Sequence, residues 1–122
     1  MRNTEIKEYP VGLLEVIGKR AENSRRAMEM GQIIYTDLSD DQMQGLETVL
    51  HQLKERERLA LLYRYKDRMI YREIGKKFGV TGSRIEQMNA RSIRILAHPS
   101  RWGYIVRGYQ GQMEYLKSHE KE

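Results

Sequence analysis

Apolar residues recur every three or four positions along most of the chain, and this period predicts an all-α protein. The pattern is sharpest from Tyr71 to Leu96. Ile74 and Phe78 stand four apart on a short first helix, Gly79 breaks it, Val80 fills the corner, and Ile85 and Met88 begin the inward stripe of a second helix. Two helices joined by so tight a turn have helix-turn-helix spacing. Gly75 lets the helices cross closely, and Gly79 supplies the positive φ that a short interhelical turn requires. Ser83, Arg84, Glu86, Gln87 and Arg91 fall on the outer side of the second helix, the side that would meet a major groove. Spacing alone leaves two readings open, a DNA-reading unit and a helical hairpin of any small α domain.

Upstream, Leu38-Ser39-Asp40-Asp41-Gln42-Met43 is a helix start. Ser39 and Gln42 form a capping box, Leu38 and Met43 staple the first turn, and the two aspartates suit the positive end of the dipole. Met43, Leu46, Val49 or Leu50, and Leu53 continue one face. Glu55 to Tyr65 forms the next helix, offering Leu59, Leu62 and Tyr63 to a core and Arg56-Glu57-Arg58 to solvent. Residues 1–9 are polar and loose, and Pro10 opens a helix whose stripe is Leu13, Leu14, Ile17, Ala21, Ser24 and Met28, interrupted at Gly18 and stopped near Gly31. That stripe must bury against the main core, a second copy or a partner. After Arg101, the residues Trp102, Tyr104, Ile105, Tyr109, Met113, Tyr115 and Leu116 are separated by Gly103, Gly108 and Gly111. They complete a small core, form an association surface or, beside Arg101 and Arg107, stack on bases or line a phosphate path.

Charge sharpens this picture. Residues 1–50 hold 6 Lys/Arg against 9 Asp/Glu and residues 51–122 hold 16 against 8, so the net +5 is concentrated in the helix-turn-helix half. A basic segment of this kind releases counterions on meeting phosphate. At 122 residues the chain has room for one modest domain. No apolar run approaches a membrane span, the start lacks a signal peptide's apolar centre, and there is no cysteine, so a cytoplasmic, reduced protein is expected. His51, His98 and His119 have no companions at metal-ligand spacing and no nucleophile sits beside a base. The chain is therefore read as a non-enzyme without metal or cofactor.

From Leu53 to Arg101 the chain resembles region 4 of the sigma-70 family of transcription initiation factors. Leu53, Arg56-Glu57-Arg58, Tyr65, Glu73-Ile74-Gly75, Gly79-Val80, Ile85, Gln87, Ala90-Arg91 and His98-Pro99-Ser100-Arg101 fall where that family places them. The resemblance implies a helix-turn-helix domain over 39–101, here with a helical extension at 1–38 and an aromatic tail at 102–122. It implies a sequence-specific DNA-binding regulator of transcription whose partners are double-stranded DNA and the flap of the RNA polymerase β subunit. The family's region 2 has no counterpart, so the chain is expected to act as a free-standing regulator, dimeric through its N-terminal helix, or beside a second sigma-like subunit. The competing reading is an interaction module that binds polymerase or another sigma factor without reading DNA.

Two departures from the family qualify these expectations. Ile70 stands where the family often has a capping threonine. Gly82, Ser83, Arg84, Glu86 and Gln87 stand where housekeeping members often carry arginine, glutamate, arginine, arginine and glutamine, so only Arg84 and Gln87 keep the type. Glu86 would accept from cytosine rather than donate to guanine, which points away from the housekeeping hexamer. Ser83, Arg84, Glu86 and Gln87 are thus the expected base contacts, and Lys76, Lys77, Arg91, Arg94 and Arg101 the expected phosphate contacts.

Overall fold

A computed structural model describes residues 4–31 and 33–119, and among them every regular element is helical. The order is α1 (Val11–Ala21), α2 (Arg25–Met28), α3 (Asp40–His51), α4 (Glu55–Tyr65), α5 (Tyr71–Phe78), α6 (Gly82–Ala97), α7 (Pro99–Arg107) and α8 (Tyr109–Ser118). No described helix is long and apolar enough to cross a membrane.

Two apolar cores meet at α6. The smaller joins Ala60 of α4, Ile74 of α5 and Ile85 of α6, with Phe78, Val80 and Met88 packed around them, as the spacing predicts. The larger gathers Leu13, Leu14 and Ile17 of α1, Leu46, Val49 and Leu50 of α3, Leu96 of α6, and Trp102 and Ile105 of α7. The first turns of α6 therefore lean on the small core and its last turns on the large one. Asn89, buried midway, donates to the Ala60 carbonyl at 3.4 Å and ties α6 to α4.

The N-terminal stripe is covered by the chain's own core, and Leu13, Leu14 and Ile17 are fully buried. This leaves that part of the stripe no apolar surface for a second copy. The helix is not interrupted at Gly18. It passes straight through, and the absent side chain makes room for the Tyr35 hydroxyl. It also does not run on to Gly31. It stops at Ala21, and Ser24, expected on the stripe, accepts from the Ala27 amide and caps the separate short α2. Met28 is left 40% exposed. Ile6 and Tyr9 pack against the large core, so the opening segment is less loose than its polarity suggests; residues 1–3 lie outside the described residues.

The capping box forms as expected, with Ser39 Oγ accepting from the Gln42 amide and Gln42 Oε1 from the Ser39 amide, both at 3.0 Å. Its neighbours do more than stabilise α3. Asp41 accepts from the amides of Gln110 (2.9 Å) and Gly111 (3.4 Å), capping α8, and Gln42 Nε2 donates to the Val106 carbonyl. The start of α3 thus fastens the tail. Among the tail's described apolar side chains, Trp102 and Ile105 are buried in the core, while Met113, Tyr115 and Leu116 stay exposed, contrary to a complete fold-back. Arg107 stacks on Tyr115 at 3.7 Å and donates to Gln112, so that pair is engaged internally.

On α4 the fully buried positions are Ala60 and Leu61, with Tyr65 almost so, while Leu59, Leu62 and Tyr63 are half-buried. The inward face is shifted because α4 is walled by both cores. Burial, with Tyr71 beside it, pushes the Tyr65 phenol up to about 12. Arg56-Glu57-Arg58 is likewise not a merely solvated face. Arg56 lies over the Phe78 ring and donates to the Phe78 carbonyl, and Glu57 accepts from the Lys54 amide and pairs with Arg91.

Candidate nucleic-acid interface

The corner between α5 and α6 is set by three backbone facts. Gly79 ends α5 in the left-handed region at φ 69°, and the Val80 amide returns to the Gly75 carbonyl at 2.9 Å. A Cβ on Gly75 would meet the Val80 carbonyl oxygen at 2.5 Å, so the turn closes over a position only glycine fits. Thr81 then starts α6, its hydroxyl accepting from the Arg84 amide at 3.1 Å. This cap sits at the mouth of the recognition surface. Thr81→Ala is expected to cost about 1 kcal/mol of stability, read as a lower urea midpoint with an unchanged slope. At the start of α5, by contrast, Ile70 offers no side-chain cap, as its apolar side chain requires.

Gly82, read from the sequence as an outward position, is turned inward. A Cβ there would come within 3.0 Å of the Arg72 amide nitrogen and 3.1 Å of the Tyr71 carbonyl carbon, so the first turns of α5 and α6 touch backbone to backbone. A side chain at this place would need the facing backbone of α5 to give by a few tenths of an ångström. The same contact carries Arg72, which the sequence reading missed, to the N-terminal corner of α6. Arg72 is exposed and has no ion-pair or hydrogen-bond partner among the described residues.

Ser83, Arg84, Glu86 and Gln87 are all exposed, while Ile85 between them is fully buried. Apart from the cap on the Arg84 amide, none of these side chains has a partner among the described residues. Ser83 and Gln87 share the outermost stripe, one turn apart. Glu86 is displaced to the flank, where it lines a groove between α1 and α6 with Val16, Lys19, Arg20 and Glu22. Its carboxylate therefore faces the extension as well as the outer surface.

The expected phosphate contacts divide. Arg91 donates to Glu57 at 2.8 Å, which ties α6 to α4 and occupies part of its guanidinium. Lys76 pairs with Glu73 at 3.5 Å, and the Lys77 ammonium sits 5.2 Å from the centre of the Tyr63 ring, so both are engaged within the α4–α5 pair. Arg101 is half-buried on α7, with Nε enclosed and one terminal nitrogen donating to Ser100 Oγ. Arg94 is exposed and unpaired on the last turns of α6. His98 is a helix-terminus residue, its Nδ1 accepting from the Ser100 amide at the start of α7. Among the described residues no three His, Asp or Glu side chains gather as a metal site.

The surface so formed is a small set of free donors at one corner of a rigid two-helix unit, which suits hydrogen bonding to base edges and phosphates. Residues 49–98 match the family described as Sigma-70, region 4. Among curated proteins, the chain is 39% identical over 106 residues to an RNA polymerase sigma factor SigA of Nostoc sp., covering 77% of this chain and 26% of that protein. It is 46% identical over 61 residues to a protein of the same name from Bacillus sp., covering 46% of this chain and 16% of the relative. A third, from Microcystis aeruginosa, is 38% identical over 106 residues and is covered to 24%. The chain thus spans about a quarter or less of the length of these relatives. No solved structure gives a significant match.

Proposed function

We propose, from the match of residues 49–98 to the sigma-70 region 4 family, that the protein is a non-catalytic, sequence-specific DNA-binding regulator of transcription that works with RNA polymerase. The observation that carries this reading is the α6 corner. Ser83, Arg84 and Gln87 are exposed and free of intramolecular partners, on a helix whose opposite side is locked into two cores. A helix backbone already fixed by packing spares the cost of ordering the main chain on meeting DNA and leaves only that of the side chains. Arg84 and Gln87 are the principal base readers, Ser83 and Glu86 the lesser ones, and Arg72 joins Arg94 and the free part of Arg91 in setting the register on phosphates.

Selection of duplexes from a random pool by the purified chain, with and without RNA polymerase, tests the reading. An enriched motif with the chain alone is the expected result. Against that motif, Arg84→Ala is expected to lose about 1–3 kcal/mol of discrimination between the selected and random duplex. Equal losses on both duplexes would remove Arg84 from base reading. No enrichment, together with salt-insensitive binding to the polymerase flap, would replace the proposal with a protein-interaction module or the partner of a second sigma-like subunit.

A further inference from the structure

Four of the six basic residues in the first fifty positions fall between 19 and 26, namely Lys19, Arg20, Arg25 and Arg26. The region 4 match begins at residue 49 and accounts for none of them. Arg25 is used in an ion pair with Glu29 at 3.1 Å. Arg20 of α1 and Arg26 of α2 instead line a groove with Asn23, Ser24, His98 and Arg94 of the recognition helix. No carboxylate lines this groove, and among the described residues none of its three guanidiniums has an ion-pair or hydrogen-bond partner.

We infer that this groove is a second backbone-binding site, in which Arg20, Arg26 and Arg94 take phosphodiester oxygens of the duplex whose bases meet the first turns of α6. The inference rests on the DNA-binding function proposed above. Arg94 lies on the outer side of α6, in line with Ser83, Gln87 and Arg91, eleven residues beyond Ser83. At a rise of about 1.5 Å per residue that is roughly 16 Å along the helix. The major groove is about 12 Å wide, so a helix seated by its first turns carries its last turn out to the flanking phosphate rail. Arg20 and Arg26 widen the cationic surface at that point. Arg20 is placed by α1, which lies against α6 with its apolar side buried in the same core as Leu96, and Arg26 by α2, which packs on α7 through the buried Ala27.

The chemistry fits phosphate closely. Three guanidiniums border this groove, Glu22 and Glu86 stand in the adjoining groove that Arg20 and Arg94 also line, and a polyanion complements the excess positive charge that remains. Guanidinium forks match phosphate oxygens and remain charged at every accessible pH. An acidic protein could use the same charges, but it would not lie in line with the base-reading face. The extension thereby adds affinity without adding base preference, since phosphate contacts carry no sequence information of their own.

The test uses the full chain and a labelled duplex carrying the selected site, titrated across roughly 50 to 200 mM salt. In Arg20→Gln/Arg26→Gln the slope of log K against log salt is expected to fall in magnitude by about 1.8, and affinity for selected and random duplexes to fall alike. Arg20→Lys/Arg26→Lys should restore most of the slope, and Arg25→Gln should leave it unchanged. Hydroxyl-radical footprinting should show protection flanking the site that the glutamine variant loses. An unchanged slope and footprint in a glutamine variant that melts like the wild type would overturn the groove as a DNA site, as would failure of the lysine variant to restore a lost slope. Retained discrimination by Arg84 in such a case would leave the proposed function standing. A wild-type chain that binds no duplex, with or without polymerase, would overturn both.

Discussion

Leu14→Ala is expected to lower the unfolding free energy of the whole chain by about 2–5 kcal/mol, although residue 14 lies far outside the region 4 match. Leu14 has no exposed surface and shares a core with Leu46 of α3, Leu96 of α6 and Ile105 of α7. Removing its branched end leaves a cavity in that core, which close-packed neighbours fill only in part. Urea unfolding followed by tryptophan fluorescence reads the effect directly, because Trp102 belongs to the same core. A single transition shifted to lower urea is the expected outcome. An unshifted main transition would mean that α1 is an appendage and not a wall of the domain.

Gly75→Ala is expected to cost at least about 1–3 kcal/mol and to damage the recognition corner before the rest of the protein. The new methyl group would lie 2.5 Å from the Val80 oxygen, 2.9 Å from the Thr81 carbonyl carbon and 3.0 Å from the Gly82 nitrogen, all of them backbone atoms with no rotamer to escape into. The turn must open, carrying Thr81 and the first residues of α6 away from α5. Gly79→Ala provides the contrast. Nothing lies within 4 Å of a Cβ there, so the cost is limited to holding φ at 69°, about 1–2 kcal/mol. Circular dichroism melts should rank the variants in that order, and Gly75→Ala should also weaken binding to the selected duplex at temperatures where helix content is still native.

The helix-turn-helix was legible in the sequence because everything that defines it is local. Ile74, Phe78, Val80, Ile85 and Met88 lie within fifteen residues and pack as their spacing predicts. The capping box at Ser39 was legible for the same reason. What failed depended on partners far away in the chain. Ser24 suits either a helix stripe or a cap, and only the break after Ala21 decides between them. Gly82 looks outward by periodicity, yet its space is taken by the first turn of α5. Glu57 read as solvated until α6 brought Arg91 to it. The four residues expected to read bases are exposed, and of those expected at phosphates Lys76, Lys77 and Arg91 also have partners within the protein, which no spacing in the sequence announced. Arg72, Arg20 and Arg26, which we propose as further phosphate contacts, went unnoticed, since no spacing rule links them to a helix they meet only in the folded chain.

On the DNA-reading role proposed above, α6 does double duty, and this limits how the protein can change its preferences over generations. Ile85, Asn89, Ser92, Ile93, Leu96 and Ala97 are buried, and Gly82 is wedged against α5, so these positions are held by packing whatever the target. Drift toward a new recognition site is confined to the exposed places between them, chiefly 83, 84, 86 and 87. A lineage searching for a different site explores a small alphabet on a fixed scaffold, and each trial substitution there leaves the folding of the domain nearly untouched.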